Sequence, residues 1–240
     1  GEGGTEENIK DYSHGMFQSV YDYPFLSSSA NQIFDITMGY SNKIGNAAYT
    51  QNTKKVNIYN QMAQMLNGYD HTGSIKKFQT SGGIDQDAMV FINFSRLLTK
   101  DEIKKESYTM TFASGGAWVE TGKFSNLITL TDLSGNSNYR VDSPVGEYGY
   151  IMSAASDPPI EIGRVYYQAG IIALTASMGM PSGSAAFPDT AAGELAIPKA
   201  TFSTGPEESI NSALTGATIT KFANAVRNKL NKISFNNTTE

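Results

Sequence analysis

The chain has 240 residues, of which 40% are hydrophobic and 17% are charged, and its formal net charge is −5. The absence of cysteine excludes disulfides, thiolate metal sites and cysteine nucleophiles. The acidic balance and the scattered lysine pairs argue against a nucleic-acid groove, and no apolar run is long enough to predict a membrane-spanning helix, so we expect neither nucleic acid nor a membrane as a partner.

The N-terminal part of the chain is polar and then strongly aromatic. Residues 1–19 are rich in Gly and Glu at first, and we interpret them as an arm that becomes ordered against another surface. The stretch "VYDYPFLSSSANQ" follows, and from Gln32 the sequence alternates. Phe34, Ile36, Met38 and Tyr40 share one side of this run, which predicts a half-buried strand.

The middle of the chain changes period twice. Apolar residues three and four apart predict an amphipathic helix over 54–67, which Gly68 ends. "AMVFINF" (88–94) predicts a strand that is buried on both faces. Thr99 and Glu102 have the spacing of a capping box, which predicts a short helix over 99–105.

The C-terminal third contains a hairpin and a helix. "IGRVYYQAGIIALTAS" (162–177) predicts two strands around Gln168-Ala169-Gly170, with Gly170 at a left-handed turn position. Residues 178–205 are rich in Gly, Ala, Ser and Pro and are interpreted as a linker or long loop. A helix is predicted near 218–231, with an apolar stripe that includes Phe222, Val226 and Leu230.

These elements predict a β-rich α+β fold with an antiparallel sheet or sandwich, a few short helices and a C-terminal amphipathic helix. The expected organisation is an arm (1–19), a main domain (20–177), a linker (178–205) and a C-terminal helical segment (206–240).

Few side chains suggest chemistry. His71 follows Asp70, which is the pairing of a base with an orienting carboxylate, but no nucleophile motif accompanies them, and an exposed turn histidine is the simpler interpretation. His14 lies in the arm. Asp85 and Asp87 resemble the start of a calcium loop whose later ligands are missing. We therefore predict no catalytic residue, no metal site and no cofactor.

Two alternatives depend on residues beside predicted strands. Glu120, Glu147, Asp157 and Glu161 are candidates for the paired carboxylates of a polysaccharide hydrolase. Trp118, the single tryptophan, together with tyrosines, is a candidate platform for a glycan of the host surface.

The aromatic stretch has two interpretations. Tyr21, Tyr23, Phe25 and Leu26 either fill a core beneath the sheet or form an interface between subunits, where aromatic residues are enriched. As interface candidates we take Tyr21, Tyr23 and Phe25 together with the stripe Phe222, Val226 and Leu230.

Five segments in order carry a resemblance to a known family. They are "MFQSVYDYPFLSSSANQIFDITMGYS", "NIYNQMAQMLNGYD", "FINFSRLLTKDEIKK", "VYYQAGIIALTAS" and "ISFNNTTE". Together they resemble virion structural proteins of contractile-tailed bacteriophages, a family common in marine and cyanobacterial viruses. In that family the chain continues past the last segment into a further β-rich part, so this chain is expected to be a fragment or a trimmed form.

The resemblance implies a non-enzymatic structural subunit of the virion, in the tail, baseplate or neck rather than the capsid shell. Its expected partners are copies of itself and other virion proteins, in a rotationally symmetric assembly. The alternatives are a module that binds a glycan of the host surface and a carboxylate hydrolase.

Overall fold

A computed structural model describes residues 7–43, 50–119, 123–153, 159–176 and 218–239. It confirms a β-rich α+β fold with a large antiparallel sheet and short helices. The helices are α1 (Thr50–Asn67), α2 (Ser95–Leu98) and α3 (Ile219–Lys229). The strands are β1 (Ile9–Asp11), β2 (Gln18–Tyr21), β3 (Gln32–Tyr40), β4 (Ala88–Asn93), β5 (Asp101–Ile103), β6 (Thr109–Val119), β7 (Lys123–Thr131), β8 (Arg140–Ser143), β9 (Gly146–Ser153), β10 (Ile160–Tyr166), β11 (Ile171–Thr175), β12 (Leu230–Ser234) and β13 (Asn237–Thr239).

Within the described residues, eleven strands form one sheet in the order β1-β2-β3-β4-β11-β10-β9-β7-β6-β12, with β8 paired to β9 as a side branch. Every pairing is antiparallel. The two ends of this order are therefore β1 and β12. A separate two-stranded sheet joins β13 to β5.

The sheet curves around α3. Residues that oppose each other in an antiparallel pair point to the same face, so the registers define one continuous apolar face. Helix α3 packs against β3, near one end of the sheet, and against β6 and β12, at the other end. A helix can touch strands so far apart in the order only if the sheet bends around it. The inner face and the helix form a core that includes Ile36, Met38, Ile92, Ile172, Leu174, Met110, Phe112, Ile219, Phe222 and Val226.

Helix α1 covers the opposite face of β3. Gly39 allows this approach, because a Cβ atom there would lie 2.6 Å from the backbone nitrogen of Tyr59 and 2.7 Å from the carbonyl oxygen of Lys55. The rings of Tyr59, Phe78 and Phe91 continue the contact, with centroids 5.5 and 5.4 Å apart. Strand β4 is thus buried on both faces, as its apolar run predicts.

Several predicted elements occur with shifted boundaries. The helix predicted over 54–67 begins four residues earlier, at Thr50. The strand with its apolar side at Phe34, Ile36, Met38 and Tyr40 is confirmed. The hairpin is also confirmed, but Tyr166 pairs with Ile171, so its loop has four residues rather than three. Gly170 has the expected positive φ of 67°.

The helix predicted over 99–105 is wrong. Helix α2 ends at Leu98, and Thr99 has a φ of 41°, which is not a capping conformation. Glu102 lies in β5 and opposes Thr238 of β13. Pairing with a strand far along the chain overrides the local capping pattern.

The expected boundaries also change at both termini. The arm expected over 1–19 contains β1 and the first half of β2, and Ile9, Gln18 and Ser19 are buried, so these residues belong to the main sheet. The C-terminal segment likewise contributes α3 and β12 to that sheet and its core. The linker predicted over 178–205 lies outside the described residues.

Candidate interaction surface

The aromatic stretch forms the connection between β2 and β3, which we call the tip loop (residues 22–31). Tyr23 is 59% exposed and Leu26 is 88% exposed, while Tyr21 and Phe25 are half-buried. The interpretation of this stretch as core is therefore wrong for Tyr23 and Leu26, whose side chains face solvent.

Backbone hydrogen bonds hold the tip loop against the start of the chain. The amide of Tyr21 donates to the carbonyl of Asn8 over 2.8 Å, and the amide of Phe25 donates to the carbonyl of Glu7 over 2.9 Å. The rings of Tyr21 and Phe25 lie 6.2 Å apart beneath the loop. The exposed apolar side chains thus project from a fixed backbone.

Asp22 and Asn31 close the base of the same loop. The carboxylate of Asp22 accepts hydrogen bonds from the backbone amide of Asn31 over 2.7 Å and from its side-chain amide over 3.1 Å. The backbone bond to Asn31 is the main cause that lowers the pKa of Asp22. The charged form of Asp22 therefore favours the closed loop.

The apolar stripe of α3 divides between the core and the surface. Phe222 is 1% exposed and Val226 is fully buried beneath the curved sheet, so neither side chain has surface to offer a neighbouring subunit. This corrects the interface prediction for these two residues, because the helix fills the chain's own core. Leu230, at the start of β12, is half-buried and borders a surface cavity.

That cavity, of about 490 Å³, lies between the two ends of the main sheet, and we call it the edge groove. One wall comes from the β1–β3 side and the other from β12 and Phe235. The ring of Phe94 joins the walls, with its centroid 5.5 Å from that of Phe34 and 5.1 Å from that of Phe235. The lining residues are Asn8, Ile9, Val20, Ile33, Phe34, Phe94, Leu97, Arg227, Leu230, Asn231, Lys232, Ile233, Ser234 and Phe235.

The histidine candidates do not form a catalytic pair. One carboxylate oxygen of Asp70 accepts from the amide of Thr72 over 2.8 Å, from its hydroxyl over 2.6 Å and from the amide of Ser74 over 3.0 Å. The hydroxyl of Thr72 is the main cause that lowers the pKa of Asp70. Asp70 thus organises a turn, and His71 is exposed. His14 stacks on Tyr12, with ring centroids 5.1 Å apart.

The two aspartates that resemble the start of a calcium loop already interact with a lysine and a serine of the same chain. Lys77 lies 3.9 Å from Asp85 and 3.3 Å from Asp87, and the hydroxyl of Ser41 donates to Asp87 over 2.6 Å. Across the described ranges, no group of three or more His, Cys, Asp or Glu side chains is placed to hold a metal ion.

The two described hydrolase candidates lie apart. Glu161 opposes Met152 in the β9–β10 pair, so Glu147 is five residues away along β9, a separation of about 17 Å at roughly 3.4 Å per residue. Paired glycosidase carboxylates lie only about 5–10 Å apart. Glu147 pairs with Lys105, and Glu161 accepts from the amide and hydroxyl of Ser81. Glu120, Asp157 and the side chain of Trp118 lie outside the described part.

Asp132 is a buried carboxylate that the sequence did not single out. It accepts hydrogen bonds from the amides of Glu106 and Tyr108 and from the hydroxyl of Tyr167, each over 2.9 Å. Burial raises the pKa of Asp132, and the bond from Tyr167 is the largest of the opposing causes. With three donors arranged around it, this carboxylate fixes the β5–β6 connection; its sequence context, "TDLSG", is that of an ordinary turn.

Lys55 is a second buried ionisable group. It is fully buried on α1, and its ammonium lies 5.4 Å from the ring centroid of Tyr40. Burial lowers the pKa of Lys55 to about 8 and raises that of Tyr40 to about 12. The amphipathic pattern of α1 did not reveal this residue, because a lysine is ordinarily assigned to the solvent face.

Comparisons with known proteins identify no relative of this chain, so the surface is interpreted from its geometry alone. No protein-family model matches the chain, and neither a curated protein nor a solved structure gives a match. Among the described helices, none is both long and apolar enough to span a membrane.

Proposed function

We propose that the chain is a non-enzymatic structural subunit of a tailed bacteriophage virion, in the tail, baseplate or neck. In this role it acts through contacts with copies of itself and with other virion proteins. The resemblance of five ordered segments to virion structural proteins supports the proposal that the chain belongs to a virion. The exposed apolar residues of the tip loop support the proposal that it acts through contacts between subunits.

The observation that carries the proposal is the tip loop. A soluble surface gains nothing from holding Tyr23 and Leu26 rigidly in water, whereas an interface gains buried apolar area without ordering a loop. Aromatic side chains also supply large contact area in the centres of interfaces. The tip loop is therefore the contact that we assign to assembly.

The distribution of charged groups is consistent with this role. The described candidates for catalysis or metal binding hold turns, form ion pairs or lie far apart. The buried carboxylate of Asp132 is satisfied by three donors from the chain itself.

The test uses sedimentation velocity over a concentration series, comparing the unaltered chain with the double variant Tyr23→Ser, Leu26→Ser. The control variant is Leu133→Ser, Val141→Ser, which removes side chains that are 69% and 68% exposed elsewhere. We expect the unaltered chain and the control to associate and the tip variant to remain monomeric with an unchanged melting temperature. Equal association of all three proteins would overturn the assignment of the tip loop.

The location is tested in the particle. A cryo-electron microscopy map of a tailed phage that encodes this chain should contain it in several symmetry-related copies in the tail, baseplate or neck. Absence of the chain from the purified particle would overturn the proposed function as a whole.

A further inference from the structure

We propose that the edge groove receives an extended, acidic segment of a neighbouring protein chain, which adds a strand to the edge of β12 that has no partner among the described strands. This inference deepens the proposed function and rests on it, since it assigns the kind of partner that a second surface of the subunit accepts.

The backbone at the groove favours a strand. Among the described strands, β12 pairs with β6 on one side only and β1 pairs with β2 on one side only. An edge strand presents a row of backbone N–H and C=O groups that lack a partner strand, and an added strand satisfies them. All five residues of β12 line the edge groove, and Ile9 of β1 lines it as well.

The lining of the groove suits alternating apolar side chains. The rings of Phe34, Phe94 and Phe235 form a continuous aromatic contact, and Val20 and Ile233 line the groove as well. Since successive side chains of a strand point to opposite faces, an inserted strand would bury every second side chain against this apolar lining and leave the others at the rim.

The basic residues that line the groove favour an acidic partner segment. The lining includes Lys232 in the middle of β12 and Arg227 at the end of α3, and within the described residues it includes no Asp or Glu. Lys232 is exposed and takes part in no ion pair with the described part of the chain. A carboxylate on the incoming strand would complement the exposed ammonium of Lys232.

The same lysine argues against a second copy of β12 as the occupant. A twofold antiparallel pairing of β12 centred near Lys232 would bring two like charges together across the strands, which is destabilising. Lysine on an edge strand is a common device against self-pairing. A different, acidic segment therefore fits the groove better than β12 of another subunit.

The experiment measures binding of fluorescein-labelled peptides to the purified full chain. The first probe alternates valine and threonine with one central glutamate, the second replaces that glutamate by lysine, and the third places proline at the centre to prevent pairing. We expect the glutamate peptide to bind at least about tenfold more tightly than the lysine peptide, a difference of about 1.4 kcal/mol. The proline peptide should not bind.

Matched variants localise the binding. Lys232→Glu should reverse the preference between the glutamate and lysine peptides, whereas Lys100→Glu, at another exposed lysine, should leave it unchanged. Leu97→Trp, at a 41% exposed lining residue, should abolish binding by filling the groove, and Leu133→Trp should not. In hydrogen–deuterium exchange, the bound peptide should protect the amides of residues 230–234.

Three results would overturn the inference: no binding of the glutamate peptide, binding without preference between glutamate and lysine, or protection confined to residues outside β12. Laurate is measured as a competing probe, and its binding in preference to every peptide would also overturn the inference and identify the groove as a lipid site. If the chain associates through the tip loop but does not bind the peptides, only the inference about the edge groove is refuted. A chain that binds the glutamate peptide but is absent from the particle refutes the proposed function instead.

Discussion

The phenolic hydroxyl of Tyr167 donates a hydrogen bond of 2.9 Å to the carboxylate of Asp132, and both side chains are fully buried. Tyr167 follows β10 and Asp132 follows β7, so this bond joins two loops that lie far apart in sequence. The hydroxyl also fits closely above Gly149, where a Cβ atom would lie only 2.2 Å from it. The pair ties the ends of strands β10 and β7 to the connection between β5 and β6.

The first prediction concerns this bond. Tyr167→Phe should lower the free energy of unfolding by about 1–3 kcal/mol at neutral pH, because a buried carboxylate loses one of its donors. Urea unfolding measures the loss. The control is Tyr69→Phe, at a tyrosine that is 56% exposed, which should change stability little.

The same variant has a pH signature. Burial raises the folded-state pKa of Asp132 above its usual 3.8, and loss of the Tyr167 bond removes a cause that lowers it. A raised pKa of an acid means that its stabilising contribution is present below 3.8 and is lost as the pH rises through the folded-state value. The destabilisation by Tyr167→Phe should therefore be larger at neutral pH than below pH 3.8. A loss of stability that is the same at both pH values would contradict the role of the carboxylate.

The second prediction concerns Lys55. Its pKa falls from the usual 10.5 to about 8 on folding, so its destabilising effect is absent above pH 10.5, grows as the pH falls from 10.5 and is complete below about 8. This difference corresponds to roughly 3 kcal/mol at neutral pH, partly offset by the contacts of the ammonium, among them the attraction to the Tyr40 ring of about 1–2 kcal/mol. Lys55→Met should therefore stabilise the fold by about 1–2 kcal/mol at neutral pH and by less at high pH.

Urea unfolding between neutral pH and pH 10.5 checks this prediction. Lys100→Met, at an exposed lysine, is the control and should show no such pH dependence. Destabilisation by Lys55→Met at neutral pH would mean that the contacts of the ammonium outweigh the cost of its burial.

The third prediction concerns the base of the tip loop and rests on the proposed function. Asp22→Ala removes the acceptor for both amides of Asn31 and should weaken association, although Asp22 itself carries no apolar contact surface. Sedimentation velocity measures the association, and hydrogen–deuterium exchange over residues 22–31 measures the loosening. Faster exchange with unchanged association would show that a rigid tip is not required for assembly.

Local sequence patterns were sufficient to predict elements whose periodicity alone identifies the side chains that are buried. Alternation predicted the buried side of β3, and the 3.6-residue period predicted α1, because both periodicities follow from contact with a single apolar surface. The hairpin around Gly170 was predicted from its turn chemistry.

Local sequence patterns gave wrong or incomplete predictions where contacts with segments far along the chain determine the structure. Glu102 has the spacing of a capping residue, but pairing with Thr238 places it in a strand. The polar residues Gln18 and Ser19 are buried because β3 and α3 supply partners, including Asp35 and Asn224, which no local window reveals. The stripe of α3 was correctly amphipathic, but only the curvature of the sheet shows that its apolar side is enclosed by the chain itself.

The fourth prediction tests the contact that lets α1 lie on the sheet. Gly39→Ala places a methyl group 2.6 Å from the nitrogen of Tyr59 and 2.7 Å from the carbonyl oxygen of Lys55, both of them backbone atoms that cannot rotate away. The helix must move outward, and we expect a loss of at least about 2 kcal/mol in the free energy of unfolding. Gly82→Ala is the control, because its new methyl would meet only the hydroxyl of Thr80 at 3.7 Å and the backbone there needs no positive φ. Thermal unfolding of the two variants beside the unaltered chain measures the effect, and equal stabilities would show that α1 does not pack tightly on β3.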